Sequence, residues 1–274
     1  MRSRNKKIAI VQQKLLSFID VKKLGVEVGP SHNPICPKSE GYNVEIIDHL
    51  SRNDLRIKYA DHGVLSAIEP VDHVWRGESY AALTGKMHGY GWVIASHVIE
   101  HAPDLIRFLQ GCDDILEDSC VLALAIPDKR YCFDHLRPRS SLAAIIDAYE
   151  AKRTTHSVGT AAEYFLYVCE IKLGLPWSAA TAASLRLIHT RDDALSGMEA
   201  LRNSGFLDLH AWCFTPLEAP HAEMMSVVPM FPIRLRMQYA RGFFLATGER
   251  FPAIQRPLFA RRFSATFRNH GSHV

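Results

Sequence analysis

The stretch Gly91-Trp-Val-Ile-Ala-Ser-His-Val-Ile-Glu-His-Ala-Pro-Asp104 decides how this chain is read. Its apolar run, Trp92 to Ala95, predicts a fully buried strand, and Ser96-His97 followed by Pro103-Asp104 predicts a corner that opens into a helix. In an open parallel sheet such corners lie at the carboxyl ends of the strands, where ligands bind. Ser96, His97, Glu100 and His101 are therefore expected to face a ligand or to support the loops that do.

Working outward, the same alternation recurs on both sides. Upstream, apolar positions Ile8, Val11, Leu15 and Ile19 predict a helix over 8–23. Leu24 to Val28 predicts a short strand that ends in the turn-forming loop Gly29-Pro-Ser-His-Asn-Pro34, and Val44 to Asp48 predicts a second strand. Ser51 and Asp54 have the spacing of a helix N-cap, and a third strand is expected at Val71 to Trp75, followed by Arg76-Gly77-Glu78. Downstream, a helix over about 104–116 leads to the strand Cys120 to Ile126. Strands alternating with helices at this spacing predict a doubly wound, mostly parallel α/β sheet. The rhythm breaks after Pro127, where SSLAAIIDAYEAK and TAAEYFLYVCEIKL read as helices with no strand between them. Three regions follow from this: 1–127 as a cofactor-binding half, 128–205 as a helical insertion over the crevice, and 206–274 as the completion of the sheet with a basic tail. In the last region Asp208 to Phe214 alternates like an extended segment, Thr215-Pro216 is expected to begin a helix, and Ile233 to Tyr239 and Phe243 to Ala246 read as two final strands.

Composition narrows the classes further. The chain has 274 residues, 47% of them hydrophobic, which is enough for a large core and excludes a disordered protein. No apolar run reaches the roughly 18 residues of a membrane span, the amino terminus does not read as a secretory signal, and the six cysteines show no paired spacing. Reduced thiols and a cytoplasmic location are expected. Seven Lys/Arg stand against Asp20 in residues 1–23, and six Arg against Glu249 in residues 241–274. Basic ends of this kind suit contact with an anionic surface, but a solvated end is the preferred reading, and nucleic-acid binding is not implied.

The residues at the strand ends resemble the class I S-adenosylmethionine-dependent methyltransferases, in particular bacterial enzymes that act on small molecules. The resemblance is carried by Val26-Glu-Val-Gly-Pro30, Glu45-Ile-Ile-Asp48 and Ala95-Ser-His-Val-Ile-Glu-His-Ala-Pro-Asp104, and it covers about residues 24–130. Ala125-Ile-Pro-Asp-Lys-Arg-Tyr131 and the two final strands also fit. It implies a Rossmann-like, mostly parallel seven-stranded sheet with an antiparallel closing strand, and S-adenosylmethionine as cofactor with S-adenosylhomocysteine as product. It further implies that Glu27, Gly29, Pro30 and Ser31 lie against the methionine part, Asp48 and His49 by the ribose, Gly77 and Glu78 by the adenine, and Ser96 and His97 at the methyl-donating end. The sequence departs from the family pattern at three places: Ser31 and Asn33 stand at the second and third positions of a loop that normally carries glycines, and Arg76 stands where an acid is usual.

Methyl transfer to a small molecule or a saccharide precursor is the reaction implied, and it needs alignment and, for a protonated acceptor, a base. His135, His189 and His210 are the candidates, with His210 favoured because Asp208 and Trp212 flank it on an extended segment; each taken alone reads first as a packing or surface residue. A module that has lost its cofactor is the rival from another class. A third reading, a metal-dependent hydrolase, comes from the H-x-x-E-H pattern His97-Val-Ile-Glu-His101. Both histidines would have to share a helix face, whereas His97 ends a strand and Pro103 closes in on His101. They are expected to be structural, with no bound metal.

Overall fold

The computed structural model describes residues 10–171, 185–203, 205–215, 234–240 and 243–249. Helix α1 (residues 10–16) precedes β1 (Gly25–Val28), β2 (Val44–Asp48), α2 (Arg52–Lys58), β3 (His73–Val74), α3 (Tyr80–Thr84), β4 (Tyr90–Ser96), α4 (Leu105–Ile115) and β5 (Leu116–Pro127). The sheet order is β3-β2-β1-β4-β5-β9-β8. The first five strands are parallel, while β9 (Phe243–Glu249) runs antiparallel to both β5 and β8 (Arg234–Ala240). Strand order reverses direction at β1, which pairs with β2 on one side and β4 on the other, and in open α/β sheets the carboxyl ends at such a reversal are where a ligand crevice forms.

Trp92, Val93, Ile94 and Ala95 are all buried, because both faces of the sheet are covered. Val93 and Ala95 pack with Val26, Val28 and the apolar face of α4, while Trp92 and Ile94 pack with Val11 and Leu15 of α1 and with Ile35 and Cys36. The Trp92 indole lies flat enough on Gly25 that a Cβ there would meet it at 1.9 Å. Capping follows the sequence: the Ser51 hydroxyl accepts the Asp54 amide and donates to the Asp54 carboxylate, and Asp104 caps α4 by accepting the Arg107 amide.

Several expectations are corrected. Helix α1 stops at residue 16 rather than 23, because the Ser17 hydroxyl bonds the Lys14 carbonyl at 2.7 Å and closes the last turn. The crossover from β1 to β2, in contrast, is the loop that the sequence predicts, with a single 3₁₀ turn at Lys38–Glu40. Residues 128–205 are not purely helical. Besides α5 (Leu142–Glu150), α6 (Val158–Tyr167) and α7 (Arg191–Arg202) they hold an antiparallel pair, β6 (Cys169–Ile171) with β7 (Leu185–Leu187), so the stretch read as one helix, TAAEYFLYVCEIKL, breaks at Val168. The β-branched Val168 sits extended at φ −65°, ψ 132°. The helix expected from Pro216 lies outside the described residues, as do residues 1–9, 241–242 and 250–274 of the two basic ends. The six cysteines are free thiols, and among the described residues no helix is long and apolar enough to cross a membrane.

Candidate functional site

The loop after β1 is fixed from below by two buried acids. Glu27, 1% exposed, accepts the Ile35 amide at 2.7 Å and the Cys36 amide at 2.9 Å, one on each carboxylate oxygen. Burial pushes its carboxyl up to about 7, against the pull of those two amides. Glu27 therefore shapes the loop, and its carboxylate faces loop amides instead of the crevice. Asp48, 2% exposed, accepts the Ser31 amide on Oδ2 at 2.9 Å and the His49 amide on Oδ1 at 2.7 Å; His49 Nδ1 also lies 2.7 Å from Oδ1.

Between these anchors the backbone takes left-handed conformations at Gly29 (φ 63°) and Ser31 (φ 53°). Gly29 is required twice over, since a Cβ there would also meet Val98 at 2.8 Å. Ser31 shows that the second position keeps the backbone shape a glycine would give, at the strain cost of a left-handed non-glycine residue, about 1 kcal/mol. Its Oγ is buried and has no hydrogen-bond partner. Pro30 is buried and accepts the Asn33 amide on its carbonyl at 2.8 Å, which closes the turn. At the neighbouring strand end, Trp75 donates its amide to Asp48 O at 2.8 Å; Gly77 (φ 112°) and Glu78 follow it, exposed, with Glu78 accepting the Arg76 amide at 2.9 Å. Ser96 ends β4, and His97 after it, also left-handed at φ 57°, donates its amide to Ala125 O at 2.9 Å. The structure thus brings Gly29, Pro30, Ser31, Asp48, His49, Ser96 and His97 to the carboxyl ends of β1, β2 and β4, with Gly77 and Glu78 at the end of β3.

A second group of side chains lies beside His97, and the sequence reading found it only in part. Residues 206–214 run as an extended strap over the strand ends. Phe206 lies by His49, with ring centroids 6.5 Å apart, Asp208 pairs with Lys58 of α2 at 2.8 Å, and Phe214 forms an isolated parallel bridge with Asp128 after β5. The Glu100 carbonyl accepts the Ala211 and Trp212 amides at 2.6 and 3.2 Å, and the Trp212 indole donates to Ala102 O. These bonds deliver His210 to the 3₁₀ turn Ile99–His101.

His210, 7% exposed, has Nδ1 2.5 Å from Asp134 Oδ2 and Nε2 4.0 Å from Glu100 Oε1. Asp134 is held in turn by buried Arg137, whose Nη1 donates to Asp134 Oδ1 and to the His210 carbonyl, both at 2.8 Å. His101 Nδ1 lies 2.9 Å from Asp208 Oδ1, and its ring meets that of His210 edge-on at 4.6 Å. Glu100 is fully buried, and neither of its oxygens accepts a hydrogen bond. His97 Nδ1 at 3.3 Å is an ion-pair contact without hydrogen-bond geometry.

The charges follow from these neighbours. Burial alone would raise Glu100, but the imidazoles of His97, His210 and His101 outweigh it and hold the carboxyl below its ordinary range. Burial likewise opposes the charged form of His101, yet Asp208 and Glu100 leave its pKa raised. Buried His156, with no hydrogen-bond partner on either ring nitrogen, is pushed down to about 4 by desolvation and then by nearby His101.

Of the histidines considered as bases, the structure brings only His210 to this group. His135 has Nδ1 2.9 Å from the Arg130 carbonyl within its own loop, and His189 stacks with Tyr164 and Phe165 of α6. As expected from the sequence, His97 and His101 share no helix, since His97 directly follows β4 and His101 closes a 3₁₀ turn. Asp134, Arg137 and His156 were missed, because nothing in their spacing links them to Glu100. The signal that was available is the alternation of Asp208 and His210 on an extended segment.

No protein-family model matches the chain, and no curated protein matches it by sequence. Solved structures do match in shape. An O-methyltransferase family protein from Burkholderia thailandensis is 9% identical, with 92% of this chain and 57% of that one covered, at a TM-score of 0.44. A SAM-dependent methyltransferase from Methanosarcina mazei is 12% identical, with 87% and 97% covered, at 0.42. The 1,6-didemethyltoxoflavin-N1-methyltransferase of Burkholderia thailandensis is 9% identical, with 90% and 79% covered, at 0.43. The chain spans about half the length of the first solved chains it matches. Five parallel strands in the order β3-β2-β1-β4-β5, with an antiparallel closing strand against β5, are the arrangement that the strand-end motifs imply. The chain therefore has a doubly wound, Rossmann-like α/β fold with a mostly parallel sheet, and the solved structures named above, which it resembles in shape, are methyltransferases.

Proposed function

We propose that the chain transfers a methyl group from S-adenosylmethionine to a small molecule or a saccharide precursor. The observation that carries this reading is the left-handed pair Gly29 and Ser31, held over the point where the strand order reverses by Glu27 on one side and Asp48 on the other. A loop this tightly held costs strain and buried charge, and a ligand laid along it offsets both. The cofactor would lie with its methionine part along residues 29–31 and 96–97, the orphan Ser31 Oγ offering a hydrogen-bond partner, its ribose toward Asp48 and His49, and its adenine toward Gly77 and Glu78. The bound cofactor supplies an electrophilic methyl on a sulfonium. The acceptor would enter from the side of Glu100 and His210, under the strap and residues 128–205.

One observation favours the rival, a non-catalytic module of the same fold: the Asp48 side chain is wholly covered and already accepts from its own loop. For ribose to reach it, the His49 ring, a third exposed, must turn away. Melting decides between the two. S-adenosylmethionine or S-adenosylhomocysteine at about a hundred times its dissociation constant should stabilise the chain by about 2.7 kcal/mol, while NAD should not. Absence of any melting shift or calorimetric heat at millimolar cofactor would refute the enzyme reading. Replacing Asp48 by alanine should weaken cofactor binding by about 1.5–3 kcal/mol through lost charged hydrogen bonds; calorimetry that returns an unchanged affinity would remove Asp48 from the site.

A further inference from the structure

The ligand-capable atoms of Glu100, His101 and His210 all lie within 4.8 Å of one another, although His210 is about a hundred residues from the other two in sequence. We propose that these three side chains form a binding site for one divalent first-row transition-metal ion, and that acceptors of this chain bind it through oxygen. The second half of the proposal rests on the methyltransferase reading; the first does not.

Two imidazoles and one carboxylate are the donor set of catalytic zinc sites and of the facial non-haem iron sites, which keep positions open for substrate. Three features separate this cluster from a chance gathering of polar residues. Both histidines have Nδ1 beside a carboxylate, His210 hydrogen-bonded to Asp134 at 2.5 Å and His101 in an ion-pair contact with Asp208 at 2.9 Å that lacks hydrogen-bond geometry, which leaves each Nε2 for a metal; a carboxylate placed as Asp134 is fixes the ring and raises its basicity. Glu100 is fully buried with no hydrogen bond to either oxygen, a state whose desolvation cost a cation relieves. His156, 6% exposed and without a partner on either nitrogen, lies within electrostatic reach of His101 and His210. Ligands about 2.1 Å from a tetrahedral ion stand about 3.4 Å apart, so side-chain shifts of about 1 Å close the present spacing.

His97 takes no part as a ligand in this arrangement. Its side chain, 43% exposed, borders the cluster where Ser96 ends β4, and its contact with Glu100 Oε1 is given up when the ion binds. Three protein ligands leave coordination positions open for an acceptor. An acceptor hydroxyl bound there loses its proton to solvent, and the oxygen's electron pair then forms the new bond to the methyl carbon as the carbon–sulfur bond breaks with its pair to sulfur. Acceptors with a second oxygen able to reach the same ion, such as vicinal hydroxyls or a hydroxyl beside a carboxylate, are the class this geometry favours.

The test uses the full chain, freed of metal by chelator dialysis, in the absence of cofactor and acceptor. Titration with Zn²⁺, Mn²⁺ or Co²⁺ should show one saturable equivalent, and Co²⁺ should give the visible absorption of a nitrogen- and oxygen-ligated ion. The near-isosteric Glu100→Gln and the variants His101→Ala and His210→Ala should abolish stoichiometric binding. Asp134→Asn should weaken it 10- to 100-fold, and His97→Ala should retain it. No saturable binding of any of the three ions to the parent chain would overturn the site, whether or not the variants fold. Binding that survives Glu100→Gln and His210→Ala, or that is lost with His97→Ala alone, would also overturn it. Because S-adenosylmethionine is absent throughout, failure here leaves the cofactor melting test standing, and failure of that test leaves this one standing.

Discussion

Replacing His210 by alanine should lower methyl transfer 10²- to 10⁴-fold and leave S-adenosylmethionine affinity nearly unchanged. The magnitude is that of losing a group that moves or displaces the acceptor's proton, and it holds whether His210 acts through its own Nε2 or through an ion bound there. The separation of effects comes from position. His210 stands against Glu100 and Asp134, beyond the ends of β4 and β5, whereas the loop at Gly29 to Ser31 and Asp48 belongs to β1 and β2. Single-turnover incorporation of labelled methyl, read beside calorimetry of cofactor binding, gives both numbers. A variant that retains turnover would take the cluster out of the chemistry; one that loses turnover and cofactor affinity together would make His210 a support for the crevice as a whole. Asp134→Asn should reproduce part of the loss, since it disturbs the ring's orientation and not its presence.

Replacing Glu27 by alanine should cost about 2–6 kcal/mol of folding stability. The Ile35 and Cys36 amides are buried, and each left without an acceptor costs about 1–3 kcal/mol. Against a typical domain stability of about 5–15 kcal/mol the upper end would unfold the chain, so Glu27→Gln, which keeps one acceptor, is the companion variant. The native carboxyl also predicts a pH dependence. Its folded pKa, raised from the ordinary 4.5 to about 7 by burial, means that the folded chain holds the proton more tightly than the unfolded one. The corresponding stability, about 3 kcal/mol, is fully present below pH 4.5 and is lost as pH rises through about 7. Denaturant midpoints between pH 4.5 and 7.5 should fall in the parent chain relative to Glu27→Gln; parallel curves would show that the carboxylate is no harder to ionise folded than unfolded.

The sheet was legible because its strands are short apolar runs cut by glycine, proline and capping residues, and burial on both faces leaves little else for Trp92 to Ala95 to be. The loop at Gly29 was legible as a turn, but its hold on the chain was not: that Glu27 would face the Ile35 and Cys36 amides depends on how the loop folds back, and no spacing encodes it. The break at Val168 was hidden because YFLYVCEI is equally apolar as helix or strand. The Glu100 cluster was half visible. Glu100 and His101 stood in the organising stretch and His210 was favoured among the histidines, yet their meeting depends on the strap crossing the strand ends, with Asp134 and Arg137 arriving from a loop that reads as featureless.

Strand β5 has β9 as its outer neighbour, and β9 begins roughly a hundred residues further along the chain. At a synthesis rate of about 5–20 residues per second, the nascent protein carries β5 with one row of backbone amides and carbonyls unpaired for several seconds or more. That row belongs to a twelve-residue strand whose last six side chains are all buried in the finished sheet. For that interval it is an open template for any other strand, including β5 of a neighbouring nascent copy. The closing antiparallel pair is thus the seal that ends a period of vulnerability on the ribosome, and a message truncated before β9 would yield a chain whose core is largely encoded but whose edge stays adhesive.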